Sequence, residues 1–182
     1  MRQQVSDKLY FYFLHVVIAA LSILVYVLAD QNSTLKQSSA PKSVKIGQYF
    51  DVSGLANLDN DTNKFDTTGS QLLFVFNTTC PVCSANLDHW KRSYAELSNK
   101  LTIYGISVDT KQRSSEYKLS NSIPFPVFCP ENDQIETFVN VNNVGTVPYT
   151  LLRNANGIIE MSWSGLANFD QIHSHFGLIS YH

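Results

Sequence analysis

Two cysteines separated by two residues follow shortly after a mostly apolar segment of the chain. Residues Gln71 to Phe76 read QLLFVF, a run typical of a strand that is buried on both faces. After Cys80 and Cys83, apolar side chains recur at spacings of three and four, which predicts a helix from Pro81 to Asn99. Its buried stripe consists of Leu87, Trp90, Tyr94, Leu97 and Leu101. The pair is therefore expected where a buried strand passes into a helix.

A cysteine at the start of a helix is well placed for disulfide exchange. The unpaired N–H groups and the dipole of the helix stabilise a thiolate there. Pro81 suits the first turn, because its missing N–H would have no partner at that position. We expect Cys80 to be the exposed nucleophile, which forms a mixed disulfide with the substrate, and Cys83 to be the resolving thiol that displaces the substrate. The reverse sequence would oxidise a dithiol.

A metal site or a structural disulfide is the alternative reading of this pair. Zinc needs a second pair of ligands, but Cys129 stands alone, and His173 and His175 point in different directions on a predicted helix. Three cysteines are too few for a disulfide framework, and a C-x-x-C ring is a tight staple. We therefore expect no metal and no cofactor. Cys129 is interpreted as a buried, inert thiol; the alternative is a third redox centre that exchanges with Cys80.

Strand and helix patterns alternate through the rest of the chain. The turn residues 154–157 lie between two apolar runs, which predicts a hairpin. The predicted strands are 101–108, 125–128, 149–153 and 157–163, and the predicted helices are 110–120, 132–141 and 168–176. This alternation predicts an α/β fold with a central mixed sheet and helices on both faces.

These motifs together resemble the thioredoxin-like fold, and more closely the TlpA/ResA/DsbE-like membrane-anchored thiol–disulfide oxidoreductases. A strand, then C-P-V-C opening a helix, then Val147-Pro148 before a strand and a hairpin carry the resemblance, which covers about residues 45–180. The segment 45–55 is similar to the N-terminal hairpin of that group. The long gap between Cys83 and Pro148 is similar to its additional strand and helix.

The resemblance implies a substrate-binding surface beside the cysteines. The loop that begins at Thr146 matches the one that carries a cis-proline in this fold, here Pro148. The backbone of Val147 would pair with an extended substrate segment. The residues expected to bind substrate are Thr146, Val147, Pro148, Pro81 and Val82.

Several positions depart from the pattern of these relatives. Thr79 stands where many carry tryptophan, and Asn86 stands where reductases of the group often place a glutamate that helps to move a proton. The predicted strand 72–76 also lacks the buried carboxylate of thioredoxins. Asp88 and His89 are expected to be solvated. The direction of electron flow is therefore left open between a reductant or isomerase and a disulfide-forming oxidase.

Two other functions remain as alternatives. A peroxiredoxin-like peroxidase needs a hydroxyl residue three positions before its cysteine and an arginine beside it. Asn77 holds the first position, Val147 and Pro148 hold the second, and Arg153 comes five residues late. Copper chaperones of this fold need a wider cysteine spacing. A non-catalytic module that binds a client is the other alternative.

The first residues of the chain indicate export. Residues 9–29 carry no formal charge over 21 positions, and about 20 apolar residues span a bilayer as a helix. Arg2 and Lys8 precede this run, so residues 1–8 are expected in the cytoplasm. A buried soluble helix and a cleaved signal peptide are the alternatives, although the run is longer than a signal peptide usually needs.

The predicted organisation places the cysteines outside the cytoplasm. Residues 30–43 are expected to be a flexible tether and residues 44–182 a thioredoxin-like domain on the periplasmic or outer side of an inner membrane. Three glycosylation sequons occur, at Asn32, Asn60 and Asn77. In a eukaryotic secretory protein each could carry a glycan, and a glycan at Asn77 would obstruct the cysteines, so a bacterial setting is favoured.

The expected partners follow from this location. They are thiols and disulfides of exported proteins and a membrane electron donor. The net charge of -2 gives no reason to expect nucleic acid, and the sequence predicts no particular oligomeric state.

Overall fold

The structure is a computed structural model that describes residues 15–28, 42–59, 64–167, 170, 172 and 174. The chain divides into two units, Met1–Pro41 and Lys42–His182. In the first unit, residues 15–28 form helix α1, which exposes apolar side chains such as Val16 and Leu21. Among the described residues, no helix combines the length and the apolar character that crossing a membrane requires. The predicted span 9–29 and the predicted tether lie partly outside the described residues.

In the second unit, the described strands form one mixed sheet. They are β1 (Leu55–Asn57), β2 (Gln71–Phe76), β3 (Thr102–Ser107), β4 (Val127–Pro130), β5 (Tyr149–Arg153) and β6 (Ile159–Ser164). Their order across the sheet is β1-β4-β3-β2-β5-β6. Strands β2, β3 and β4 run parallel, whereas β1, β5 and β6 are antiparallel to their neighbours. The predicted mixed sheet is therefore confirmed.

Three helices that lie wholly within the described residues pack around this sheet: α2 (Pro81–Leu97), α3 (Lys111–Ser120) and α4 (Ile135–Val141). Strand β2 is fully buried, and its apolar side chains point alternately into two apolar clusters on the two faces of the sheet. Leu73 and Val75 face the cluster that includes Phe138 of α4, whereas Phe74 and Phe76 face the cluster formed with α2. Helices on both faces are thus confirmed. Residues 170, 172 and 174 are helical, and the rest of the predicted helix 168–176 lies outside the described residues.

The packing of α2 on β2 fixes where the cysteines lie. Trp90 is fully buried and stacks on Phe74 with 5.1 Å between ring centroids and 15° between the planes. Its indole Nε1 donates a hydrogen bond to Thr150 Oγ1 at 3.0 Å. Loss of a buried aromatic side chain of this size typically costs about 3–5 kcal/mol. This contact holds the helix so that its N-terminus lies at the carboxyl end of β2.

The segment 45–55 does not form the predicted hairpin. Gly47 N and Phe50 N donate to Ile159 O and Gly157 O, each at 2.8 Å, at one edge of the sheet. The chain then joins the opposite edge as β1, which pairs with β4. Phe50 and Val52 are buried between these two edges, where they cover part of the sheet face that α4 also covers. The burial of these two side chains, rather than strand pairing within the segment, therefore holds the segment on the sheet.

The strand predicted at 125–128 begins two residues later, at Val127. Pro126 has no N–H to donate to a ladder, and its carbonyl accepts from Gly105 N at 2.9 Å. Phe125 instead turns its fully buried ring onto Phe74, with 5.2 Å between ring centroids. Proline and the aromatic contact together set the start of β4.

Candidate active site

Cys80 is the N-cap residue of α2. Its backbone is extended, with φ -86° and ψ 114°, and its Sγ accepts a hydrogen bond from Cys83 N at 3.2 Å. Pro81 occupies the first turn, which contains no acidic residue. The side chain of Cys80 is partly exposed. A thiolate at this position is stabilised by the N–H group and by the helix dipole, and it is accessible to a substrate.

Cys83 lies one turn further along and is fully buried in the apolar cluster that includes Phe76 and Trp90. Burial raises the pKa of the Cys83 thiol to about 12, and a hydrogen bond with Cys80 adds to the shift. Both cysteines are free thiols in the structure. One accessible sulfur and one buried, protonated sulfur is the arrangement expected of a nucleophile and a resolving thiol.

The loop that precedes β5 contacts the accessible cysteine. The Val147–Pro148 peptide bond is cis, and the Cys80 thiol donates to Val147 O at 3.7 Å. Strand β5 pairs with β2, with Tyr149 opposite Val75, so both loops emerge at the same end of the two strands. Thr146 is exposed and Pro148 is buried. The sheet register therefore brings the predicted substrate-binding loop to the predicted nucleophile.

A second loop beside the cysteines was not predicted from the sequence. Gly165 N donates to Pro148 O at 3.0 Å, which places residues 165–167 against the cis-proline loop. The side chain of Leu166 is 66% exposed there, and that of Val82, between the cysteines, is 42% exposed. An apolar residue after a glycine at the end of the last strand was the signal that could have found this loop.

Asn86 holds that loop to α2. Its fully buried Nδ2 donates to Val82 O at 3.2 Å and to Gly165 O at 2.9 Å, and its Oδ1 accepts from Ala167 N at 2.9 Å. The resemblance implied a glutamate with a role in proton transfer at this position. The asparagine found here instead makes a structural link that uses both ends of its amide.

The residues before Cys80 are fixed by the carboxyl end of β3. The Thr78 hydroxyl donates to Asp109 Oδ2, and Asp109 Oδ1 accepts from Thr110 N at 2.8 Å. Asn77 Oδ1 accepts from Thr79 N at 2.9 Å and from Thr79 Oγ1 at 2.7 Å, while its Nδ2 donates to Val108 O at 3.3 Å. A glycan on Asn77 would be attached to the same Nδ2 that bonds Val108 O.

The remaining candidate residues do not contribute to this site. Asp88 and His89 are exposed on α2, as expected. Cys129 lies in β4 with 1% exposure, and burial raises the pKa of its thiol to about 11, which agrees with a buried, inert thiol. Among the described residues, no group of three or more His, Cys, Asp or Glu side chains could hold a metal ion. His173 and His175 lie outside the described residues.

The sequence profile of the AhpC/TSA family matches residues 47–162, which is well over half of the chain. The chain belongs to the AhpC/TSA family. The match includes β1 to β5 and most of β6, and therefore both cysteines and the loop of Val147 and Pro148. A search of curated proteins found no match.

Solved structures show that the fold of this family member is thioredoxin-like. The thioredoxin domain of a thiol-disulfide oxidoreductase from Bacteroides vulgatus is 17% identical, with 74% of this chain and 99% of that chain covered and a TM-score of 0.64. A secreted Mycobacterium tuberculosis disulfide oxidoreductase homologous to Escherichia coli DsbE is 15% identical, with 69% and 94% covered and a TM-score of 0.55. A mutant of PrxQ from Xylella fastidiosa is 16% identical, with 74% and 98% covered and a TM-score of 0.57.

Proposed function

We propose that the protein is a thiol–disulfide oxidoreductase in which Cys80 is the nucleophile and Cys83 resolves the mixed disulfide. The observation that carries the proposal is the accessible Cys80 sulfur at the N-terminus of α2, with Cys83 N at 3.2 Å and Val147 O at 3.7 Å. The Cys80 thiolate attacks one sulfur of a client disulfide, and the other client sulfur leaves and takes up a proton. Cys83 then loses its proton and attacks Cys80 Sγ, which releases the second client thiol.

The proposed client is an extended, uncharged segment around a disulfide. The backbone of Val147 would pair with it, as in other complexes in which a peptide adds to an exposed backbone. Val82, between the two cysteines, and Leu166, next to the residue that bonds Pro148 O, expose apolar side chains, and Thr146 and Pro81 are also uncharged. Charged side chains next to the cysteine of a substrate would lose their hydration on this surface without gaining an ion pair.

We propose that electrons flow from the cysteine pair to the client, as in a reductant or isomerase. The raised pKa of Cys83, caused by burial, means that its reduced form gains little stability as a thiolate. Strong oxidants of this fold depend on a stabilised reduced form. A protonated, buried Cys83 supplies no such stabilisation of the reduced form, which supports a reduction potential below that of a strong oxidant. A disulfide-forming oxidase is the opposite outcome.

We propose an extracytoplasmic location for this reaction. Residues 9–29 would anchor the chain in an inner membrane, residues 1–8 would remain in the cytoplasm, residues 30–43 would form the tether and residues 44–182 the exported domain. The proposal is supported by the absence of formal charge over residues 9–29 and by Arg2 and Lys8 before them. Because an outer compartment is kept oxidising, a membrane electron donor would have to re-reduce the pair.

Peroxide reduction is a second candidate, which membership of the AhpC/TSA family and the similarity to PrxQ favour. The site supports it less well. Asn77, three residues before Cys80, uses its side chain on Thr79 and on Val108 O rather than on the sulfur. Val147 and Pro148 occupy the positions where the resemblance places the arginine of a peroxidase.

The full chain in detergent micelles tests these proposals. With dithiothreitol as electron source, the wild type should reduce insulin disulfides, and Cys80→Ser should be inactive. Cys83→Ser, reduced and then freed of dithiothreitol, should accumulate a covalent adduct with insulin through Cys80, because no second thiol is present to resolve it. Rapid consumption of hydrogen peroxide without insulin reduction would establish the peroxidase instead. Binding of insulin without either reaction would leave only a client-binding module.

A further inference from the structure

Tyr117 reaches from α3 to the first turn of α2. Its ring packs on Phe76 with 5.6 Å between centroids, and its hydroxyl lies 3.1 Å from Ser84 Oγ. Ser84 follows Cys83 directly, and its N donates to Cys80 O at 3.2 Å. Tyr117 is partly buried and packs against the apolar cluster that contains Cys83. Cys80 packs against the same cluster. A phenol is therefore fixed beside the cysteine pair by an aromatic contact and by a hydroxyl partner.

The proposed reaction needs a way to remove a proton from a fully buried thiol. Cys83 must lose its proton to close the disulfide, and its raised pKa, caused mainly by burial, makes this step demanding. Asn86 is an amide whose two ends are bonded elsewhere, and Phe74 and its neighbours in β2 are apolar. The Asp109 carboxylate accepts hydrogen bonds from Thr78 and Thr110.

We propose that Tyr117, oriented by Ser84, relays the proton between Cys83 and solvent during exchange. The inference rests on the proposed oxidoreductase function and deepens it. As Cys83 attacks Cys80 Sγ, the Cys83 proton passes to the hydroxyl pair, which releases a proton to water on its exposed side. The client sulfur departs with the electron pair of the broken S–S bond and takes up a proton from water. Tyr117 and Ser84 end with the protons that they began with, so atoms and electrons balance.

The electrical surroundings of Tyr117 suit this role. Burial raises the pKa of the phenol, and the nearby Cys83 and Cys80 add to the shift, so Tyr117 keeps its proton while a thiolate forms. The two thiols are the titratable groups that act on the phenol from α2. Of the charged side chains on its own helix, Lys111 acts on the Cys129 thiol, and the other three have partners: Arg113 with Asp109, Glu116 with Gln112, and Lys118 with Asp59.

Tyr117→Phe tests the relay because it removes the hydroxyl and keeps the ring on Phe76. Tyr94→Phe is the matched control, since Tyr94 lies on α2, packs against the same apolar cluster and contacts the ring of Phe125. Ser84→Ala is the second variant, because Ser84 is exposed and its loss frees the phenol without disturbing core packing. The full chain in detergent is reduced, mixed with a peptide that has one internal disulfide, quenched with acid and analysed by mass spectrometry between pH 5 and pH 10.

Formation of the mixed disulfide should be unchanged in all variants. Its resolution should slow by about 100-fold in Tyr117→Phe at pH 7 and should recover as hydroxide becomes available. Ser84→Ala should slow resolution less, and Tyr94→Phe should not slow it. Resolution in Tyr117→Phe that is as fast as in Tyr94→Phe overturns the relay, and if Tyr117→Phe does not fold, unchanged resolution in Ser84→Ala overturns it. Failure of the wild type to reduce the peptide, together with absence of a mixed disulfide in Cys83→Ser, would instead refute the oxidoreductase function.

Discussion

The link made by Asn86 gives the sharpest prediction for stability. In Asn86→Ala, three hydrogen bonds disappear at once. The N–H of Ala167, whose residue is 2% exposed, is left buried without a partner, whereas the half-buried Gly165 carbonyl can be hydrated. A buried, unsatisfied polar group costs about 1–3 kcal/mol, and the other bonds contribute about 1 kcal/mol each. We therefore expect a loss of about 3–5 kcal/mol.

Urea denaturation of the reduced chain, followed by tryptophan fluorescence, measures this loss. His89→Ala on the same helix is the control, since His89 is exposed and surface substitutions usually change stability by less than about 0.5 kcal/mol. Asn86→Asp provides a second check. A carboxylate cannot donate to Val82 O or Gly165 O, so this variant should be less destabilised at pH 4, where the carboxyl can carry a proton, than at pH 8. An Asn86→Ala chain as stable as the His89→Ala control would refute the role of the link.

Three further predictions concern the thiols and the core. In the reduced chain, iodoacetamide at pH 8 should modify Cys80 alone, and modification of Cys83 or Cys129 before unfolding would contradict their burial. Because burial raises the pKa of Cys129 from 9.0 to about 11, its contribution to stability is fully present below pH 9 and is lost as the pH rises through 11. Between pH 9 and pH 11, the free energy of unfolding of Cys129→Ala should therefore fall by about 3 kcal/mol less than that of the wild type. Denaturation at each pH measures both, and an equal fall in the two chains would contradict the raised pKa. Thr150→Val leaves Trp90 Nε1 without its acceptor and should cost about 1–3 kcal/mol in urea denaturation, whereas unchanged stability would show that the bond contributes nothing.

The part of the fold that follows local patterns could be predicted. Strand β2 was recognised from its continuous apolar run and α2 from the spacing of its stripe, so the position of Cys80 at their junction followed from sequence alone. Val147 was placed beside Cys80 by resemblance, and the pairing of β5 with β2 supplies the physical reason for that contact.

The features that were not predicted depend on contacts between distant residues. The segment 45–55 pairs with opposite edges of the sheet, which a hairpin pattern within the segment cannot reveal. Asn86 and Leu166 acquire their positions through hydrogen bonds that span about eighty residues of sequence. Tyr117 has no motif of its own, and its place beside Ser84 results from the way α3 packs on Phe76.

The reduction potential of the Cys80–Cys83 pair, measured in the full chain by equilibration with glutathione or dithiothreitol, distinguishes a reductant from an oxidase. We expect a reversible two-electron couple near that of thioredoxin, about -270 mV, which disappears in Cys83→Ser. A value near -120 mV would make the protein an oxidase and contradict the proposed direction of electron flow. A pair that shows no reversible couple would contradict the oxidoreductase function itself.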